Sequence, residues 1–421
     1  MRSQRRPGLI AGALLPAGAD SAALPLLLAR GLRAFGDGYM ALMLPAYLLA
    51  LVLGSFDVGL VSTATTFGSA LATLAIGAWG HRAANTRLLR GAALLMLATG
   101  LGFAGFASFW PLLVVAFVGT LNPSSGDVSV FLPLEHARLA QAAQGHARTA
   151  LFARYSVFGA LCAALGALAA VVPEALVAAF GVARIDALRC MFVAYAAIGV
   201  IVWWLYGRLP SPHGGDAAAQ TAESPAAPLG ASRGIVIRLA ALFSIDAFAG
   251  GLVTNALLSL WLLQRHQLSL AQAGAFFFWA GLLSALSQLA APWVAQRIGL
   301  LNTMVFTHLP ANVCLVLAAL APTLPLALGL LLVRSALSQM DVPTRTAYVM
   351  AVVTPAERAA AASVTAVPRS LAAAASPALA GALFAAGWIA LPLIACGTLK
   401  IAYDLLLWRA MRRTRIDGAM L

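Results

Sequence analysis

The chain has 421 residues, of which 62% are hydrophobic and only 10% charged, and its mean hydropathy is +0.89. A soluble domain carries about 25% charged residues to solvate its surface, so a soluble fold is excluded and most of this chain faces lipid. The formal charge of +13 comes from 26 arginines and one lysine strung singly between apolar runs, which excludes a nucleic-acid surface and matches the basic excess of short cytoplasmic loops.

Residues 1–28 read as a cytoplasmic tail carrying Arg2, Arg5 and Arg6. Arg5-Arg6 ahead of an apolar stretch has the outline of an export signal, but Pro16 interrupts the run. Apolar runs bounded by Gly, Pro or Arg then predict twelve spans, at about 29–53, 59–80, 88–106, 110–134, 149–172 and 187–207, and at about 235–262, 272–295, 303–321, 324–352, 361–386 and 390–409. The polar stretch 208–234 between the two sets cannot bury a core and reads as a flexible cytoplasmic linker. Residues 411–421 form a second cytoplasmic tail. The predicted fold is therefore an all-α membrane protein of two six-helix bundles, 29–207 and 235–410. With the N-terminus inside, arginines such as Arg82, Arg87, Arg90, Arg208, Arg233, Arg297, Arg358 and Arg409 fall on the cytoplasmic face, against Arg184 and Arg265 opposite. Both termini are expected in the cytoplasm of a plasma (inner) membrane.

The two sets of spans are related. Gly77-Ala-Trp-Gly80-His81-Arg82 near the end of the second has a counterpart in Pro292-Trp-Val-Ala295-Gln296-Arg297-Ile-Gly299 near the end of the eighth. Asp341 follows Asp127 by 214 positions, Arg369 follows Arg154 by 215, and Arg297 follows Arg82 by 215; Asp246 follows Asp37 by 209. Charged pairs at nearly one offset mark a duplicated six-helix unit, so the bundles are pseudo-symmetric.

Two six-helix halves, a polar central linker and a basic turn between spans two and three resemble the major facilitator superfamily over about residues 29–410. The family's turn runs Gly-x-x-x-Asp-Arg-x-Gly-Arg-Arg; Gly77 and Arg82 match it, while His81 stands at the acidic position and Ala84 at the second glycine. The second copy keeps Arg297 and Gly299. The resemblance implies alternating access by rocking two halves about a midplane site, with spans one, two, four, five, seven, eight, ten and eleven lining the cavity.

Ionisable residues at bilayer depth need partners or a wet cavity. Asp127, Arg154, Asp341, Arg345 and Arg369 lie toward the cytoplasmic ends of their spans and are expected to form gate ion pairs, each arginine of the pair Arg154 and Arg369 meeting Asp127 or Asp341. Arg334, near the middle of span ten, either binds an anionic substrate or pairs with Asp37 or Asp246. Those two aspartates are the expected proton carriers, since a partly desolvated carboxylate titrates in the working range. Asn255, Gln288 and Tyr155 are further candidates for reading a substrate, and helix–helix hydrogen bonding is the plainer role for each. Lys400 and Asp404, four apart on span twelve, are expected to pair with each other and stay out of the site. His308 is read as a packing residue. The cysteines fall in apolar runs without a CxxC pair and read as small hydrophobes. No Gly-x-x-x-x-Gly-Lys-Ser/Thr loop is present, which excludes ATP hydrolysis on this chain.

The function expected is secondary active transport of a small solute, an anion favoured, coupled to protons, without cofactor or metal, in a protein acting as a monomer. The alternatives are drug or hydrophobic-compound efflux, a transporter-like receptor, and a membrane-embedded enzyme, the last disfavoured by scattered histidines.

Overall fold

The computed structural model describes residues 14–80, 83–122, 129–210, 229–230 and 232–412. Sixteen α-helices run through them. The N-terminal half holds α1 (Leu24–Ala50), α2 (Ser55–Trp79), α3 (Asn85–Gly105), α4 (Phe109–Val118), α5 (Phe131–Ala142), α6 (Gly145–Leu168), α7 (Val172–Phe180) and α8 (Arg184–Gly207). The C-terminal half holds α9 (Arg233–Gly251), α10 (Asn255–His266), α11 (Leu270–Ile298), α12 (Leu300–Leu320), α13 (Leu324–Leu337), α14 (Asp341–Val352), α15 (Arg358–Ala385) and α16 (Leu391–Met411). They make twelve spans: α4 with α5 is the fourth, α6 with α7 the fifth, α9 with α10 the seventh, α13 with α14 the tenth, and each other helix is a span alone.

Local chemistry sets the ends. Ser269 and Gln272 cap α11 reciprocally, the Ser269 Oγ accepting from the Gln272 amide (3.2 Å) and the Gln272 Oε1 accepting from the Ser269 amide (3.0 Å). The seventh span breaks at Leu252–Thr254, where the Thr254 hydroxyl accepts from the Leu257 amide and restarts the helix as α10. Between α11 and α12 the chain reverses at Gly299 with φ +83°, a backbone angle that explains the glycine of the repeated turn. Arg297 beside it stacks on Trp293 at 3.8 Å. In the first copy of the turn Gly77 lies in α2, while His81 and Arg82 are outside the described residues.

Several boundaries differ from the expected ones. The first span begins at Leu24, after a short 3-10 turn (Ser21–Ala23) capped by Asp20, so the helix takes up residues assigned to the tail. The fourth runs to Ala142 rather than 134, because Glu135 is buried among partners inside the helix instead of ending it. The Glu357 carboxylate in the turn before α15 accepts from the amides of Gly230 (2.8 Å) and Ser232 (3.0 Å), which pins the chain where it enters α9. Hydrogen bonds from Ser232 and the Gly230 amide hold that carboxyl below its usual range.

In lipid, apolar side chains gain nothing by leaving the solvent, so helices associate through close packing at small residues. Within the first half α1 and α6 cross at reciprocal glycines: a Cβ on Gly38 would stand 2.1 Å from the Ala163 carbonyl oxygen, and one on Gly166 would stand 2.0 Å from that of Phe35. The two halves meet in the same way along α2–α15 and α6–α11. A Cβ on Gly59 would lie 2.6 Å from the Pro377 oxygen and 2.8 Å from the Gly381 Cα, and one on Gly274 would lie 2.5 Å from the Ala167 oxygen. Among the described residues, the hydrogen bonds between halves join Gln264 to Ser55 (2.8 Å), the Leu270 amide to Glu174 (2.8 Å) and the Ala378 amide to Thr63 (2.9 Å). All of these contacts fall between the midplane and the end remote from the chain termini. At the terminus-bearing end, arginines lie over tryptophans in four places: Arg90 on Trp203, Arg208 on Trp204, Arg297 on Trp293 and Arg412 on Trp408.

Candidate functional site

Each half encloses a buried charge node. In the first half the node is Glu135 of α5, with no exposed surface. Its carboxylate accepts from Arg33 of α1, from the Tyr155 hydroxyl of α6 at 2.5 Å and from the Tyr206 hydroxyl of α8 at 2.7 Å. The Arg33 guanidinium lies over the Phe131 ring at 4.0 Å, and Phe131 stacks on Tyr206. One carboxylate thus ties spans one, four, five and six. Arg30 lies over the Tyr155 ring at 5.3 Å, and Asp37 is within electrostatic reach of both Arg30 and Arg33. Arg30, Arg33 and Asp37 recur at three- and four-residue spacing, so they share a face of α1.

In the second half the node is Asp246 of α9, 3% exposed. Arg345 of α14 donates to its Oδ2 at 2.9 Å and Lys400 of α16 donates to its Oδ1 at 2.5 Å. Arg345 also pairs with Asp341, one turn earlier on α14. Beside this triad, Asp404 of α16 faces His308 of α12, whose Nδ1 is 2.9 Å from Oδ1, and Asn312 donates to its Oδ2 at 3.2 Å.

Several expectations are corrected by these contacts. Lys400 and Asp404 do not pair with each other: the ammonium turns to Asp246 and the carboxylate to His308, because each finds a partner across the bundle and not only along its own helix. His308 consequently faces a buried carboxylate and is not packing alone. Tyr155, a candidate to read a substrate, spends its hydroxyl on Glu135 and is 1% exposed. Asp246, one of the two expected proton carriers, lies between the Arg345 and Lys400 cations. Asp341 is engaged by Arg345 within its own half, and among the described residues no ion pair joins the two halves. Arg154 and Arg369 are half-buried on α6 and α15, and Asp127 lies outside the described residues. Arg33, Glu135 and Tyr206 escaped the sequence reading. Glu135 fell one residue past the apolar run that defined span four, and the signal that would have found it is the spacing of charge on α1, which asks for a buried acid nearby.

Between the nodes and the far-end contacts lies a polar layer. The tenth span breaks at Ser338–Met340, and there Gln339 accepts from Gln288 of α11 at 3.5 Å, while the Ser335 carbonyl accepts from the Ser284 hydroxyl at 3.3 Å. Asn255 starts the second half of the broken seventh span. Discontinuous helices of this kind mark binding sites in carriers. Arg334 is the eleventh residue of α13, about 15 Å along its axis and so near the midplane. Its Nε is buried without a hydrogen-bond partner, and among the described residues the guanidinium meets no acid. Asp246, one of its expected partners, is already taken twice. Among the described residues no three of His, Cys, Asp and Glu converge as metal ligands would.

Twelve spans in two bundles, each with charge sequestered inside it and the two joined at one end by small residues, define a polytopic membrane transporter. The chain belongs to the Major Facilitator Superfamily, whose sequence description matches residues 26–339. It is 23% identical to the uncharacterized membrane protein YJR124C of Saccharomyces cerevisiae, over 89% of this chain and 91% of that one. Its fold is similar to that of the xylose transporter XylE from E. coli in an inward open conformation (TM-score 0.71, 16% identity, 92% of this chain and 96% of that one). It is likewise similar to the human organic anion transporter MFSD10 (TM-score 0.63, 18% identity, 92% and 98%). Membership of this family makes the chain a transporter and not an enzyme.

Proposed function

We propose that this chain is a secondary carrier that moves a small anionic solute across a plasma membrane by alternating access, driven by protons, with both termini cytoplasmic. The relatives of similar fold are named for a sugar and for organic anions, so the fold alone does not choose a solute. The observation that carries the anionic reading is Arg334, a midplane guanidinium without an acidic partner among the described residues, beside a polar layer formed where the tenth span breaks. A buried cation of this kind costs several kcal/mol unless an anion meets it.

Uptake into proteoliposomes with an imposed pH gradient, over a panel of labelled anionic, neutral and cationic metabolites, tests this reading. An anion is expected to accumulate. Arg334→Ala should lose that uptake by on the order of tenfold or more, the worth of one charge-assisted hydrogen bond, and Arg334→Lys should keep part of it. Accumulation of a neutral or cationic solute, unchanged in Arg334→Ala, would remove the anionic assignment.

Among the described residues, the hydrogen bonds and glycine contacts between the halves lie toward the end remote from the termini, which supports a state that opens toward the terminus-bearing end. The four arginine-on-tryptophan stacks at that end support its placement at the cytoplasmic headgroups. A reporter active only outside the cytoplasm, fused after Leu421 or within residues 213–230, is expected to be silent; activity at either position would reverse the orientation.

A further inference from the structure

The C-terminal node does not balance electrically. Asp246, Asp341 and Asp404 bring three carboxylates, Arg345 and Lys400 two fixed cations, and none of the five is more than 8% exposed. Both cations are committed, Arg345 to Asp246 and Asp341 and Lys400 to Asp246. Asp404 is left with the Asn312 amide and His308, itself 4% exposed. A net buried charge in a low-dielectric interior is costly unless it is neutralised. One proton on His308, the only titratable hydrogen-bond partner of Asp404 among the described residues, closes the balance.

We propose that the His308–Asp404 pair, on the ninth and twelfth spans, holds the coupling proton of the transport cycle; this rests on the proton-driven reading above and places the proton outside the helices that line the passage. Around His308, α16 contributes Asp404, Lys400 and the Tyr403 ring at 6.3 Å, with Arg409 at its exposed end. Asp246 of α9 is within electrostatic reach. From α14, Arg345 and Asp341 stand behind Asp246. Arg334 of α13 lies within electrostatic reach of Cys396 of α16, and Arg297 of α11 is stacked on Trp293.

With the proton bound, the imidazolium neutralises Asp404 and Lys400 stays on Asp246. When the proton leaves to water, Asp404 becomes an unneutralised carboxylate one helical turn from Lys400. It then competes for the ammonium, and transfer of Lys400 to Asp404 would leave Asp246 to Arg345 and free α16 from α9. Proton release therefore re-sorts the ion pairs that hold the seventh, tenth and twelfth spans together.

The test is 15N-histidine NMR of the full chain in lipid nanodiscs from pH 5 to 9, with His308→Gln identifying the signal. His308 is expected to pass from imidazolium to neutral imidazole within that range. In Asp404→Asn, which removes the acid excess, it should stay neutral throughout. In parallel, the distance between spin labels at Trp79 and Arg358, on the facing helices α2 and α15 at the terminus-bearing end, should follow the same titration in the parent protein. That distance should be independent of pH in His308→Gln and in Asp404→Asn. The double variant His308→Gln with Asp404→Asn, neutral at every pH, serves as the folded reference. A His308 that stays neutral across the range with Asp404 intact, or one that titrates without any change in the distance, overturns the proposal. The titration needs no substrate, so a failed uptake screen tells against the solute assignment and leaves this pair standing.

Discussion

Replacing Glu135 with alanine is expected to destabilise the N-terminal bundle by about 3–5 kcal/mol, the range for breaking a buried ion pair in soluble proteins. The substitution strands Arg33, 2% exposed, against an aromatic ring, and removes the common acceptor of the Tyr155 and Tyr206 hydroxyls. Each stranded donor adds a desolvation penalty of about 1–3 kcal/mol, and these do not sum, because the three donors share one carboxylate. The double replacement Arg33→Met with Glu135→Leu removes both charges and is expected to recover most of the loss, since a well-packed apolar pair matches or exceeds a buried ion pair in stability. Thermal unfolding followed by size-exclusion fluorescence in detergent reads both effects. A Glu135→Ala variant within about 1 kcal/mol of the parent, or one no less stable than the double variant, would show that the node does not hold these four spans.

Gly59→Leu is expected to abolish transport and to hold the far end of the carrier open. A Cβ at this position already lies inside contact distance of α15 backbone, and backbone cannot swing away as a flexible side chain can. The two surfaces at this crossing belong to different bundles, so separating the bundles relieves the clash without unfolding either of them. Gly38, by contrast, crosses α6 inside its own half, and there a side chain has no such escape. The measurement is the rate at which a cysteine at Thr63, which accepts from the Ala378 amide across the same crossing, reacts with a membrane-impermeant thiol reagent from the far side. Fast labelling in Gly59→Leu and slow labelling in the parent is the expected pattern. Equal rates would mean that this crossing is not the seal.

Much of the fold was legible because lipid imposes a simple rule. Every span needs an apolar run and the loops on one face are marked by arginine, and that rule placed twelve spans and the division into halves. Asp341 was expected to meet Arg154 or Arg369, and the structure instead pairs it with Arg345, four residues on along its own helix. The same rule misassigned Lys400 and Asp404, since spacing along a helix records who is near and not who else arrives from a neighbouring helix. Asp246 drew Lys400 away, and His308, a lone histidine with nothing nearby in sequence to pair it, took Asp404. Glu135 was hidden by its neighbours. A charged residue at the edge of an apolar run reads as the start of a loop, and only the packing of four helices reveals that the helix carries it onward into the interior. Arg334 was open to two readings in the sequence, and the structure narrows them by occupying Asp246.

Among the 27 basic residues of this chain a single one is lysine, and it sits 2.5 Å from Asp246 with a second carboxylate one turn away. Arginine presents a rigid planar fork that binds in a preferred orientation, whereas an ammonium on a four-carbon stem is a compact charge that reorients freely. Elsewhere the chain uses the residue that fixes geometry. At position 400 it uses the one that tolerates a change of partner without a change of charge, so a swing of one stem alters which helices are held together while the electrostatic cost of burying the cation stays nearly constant.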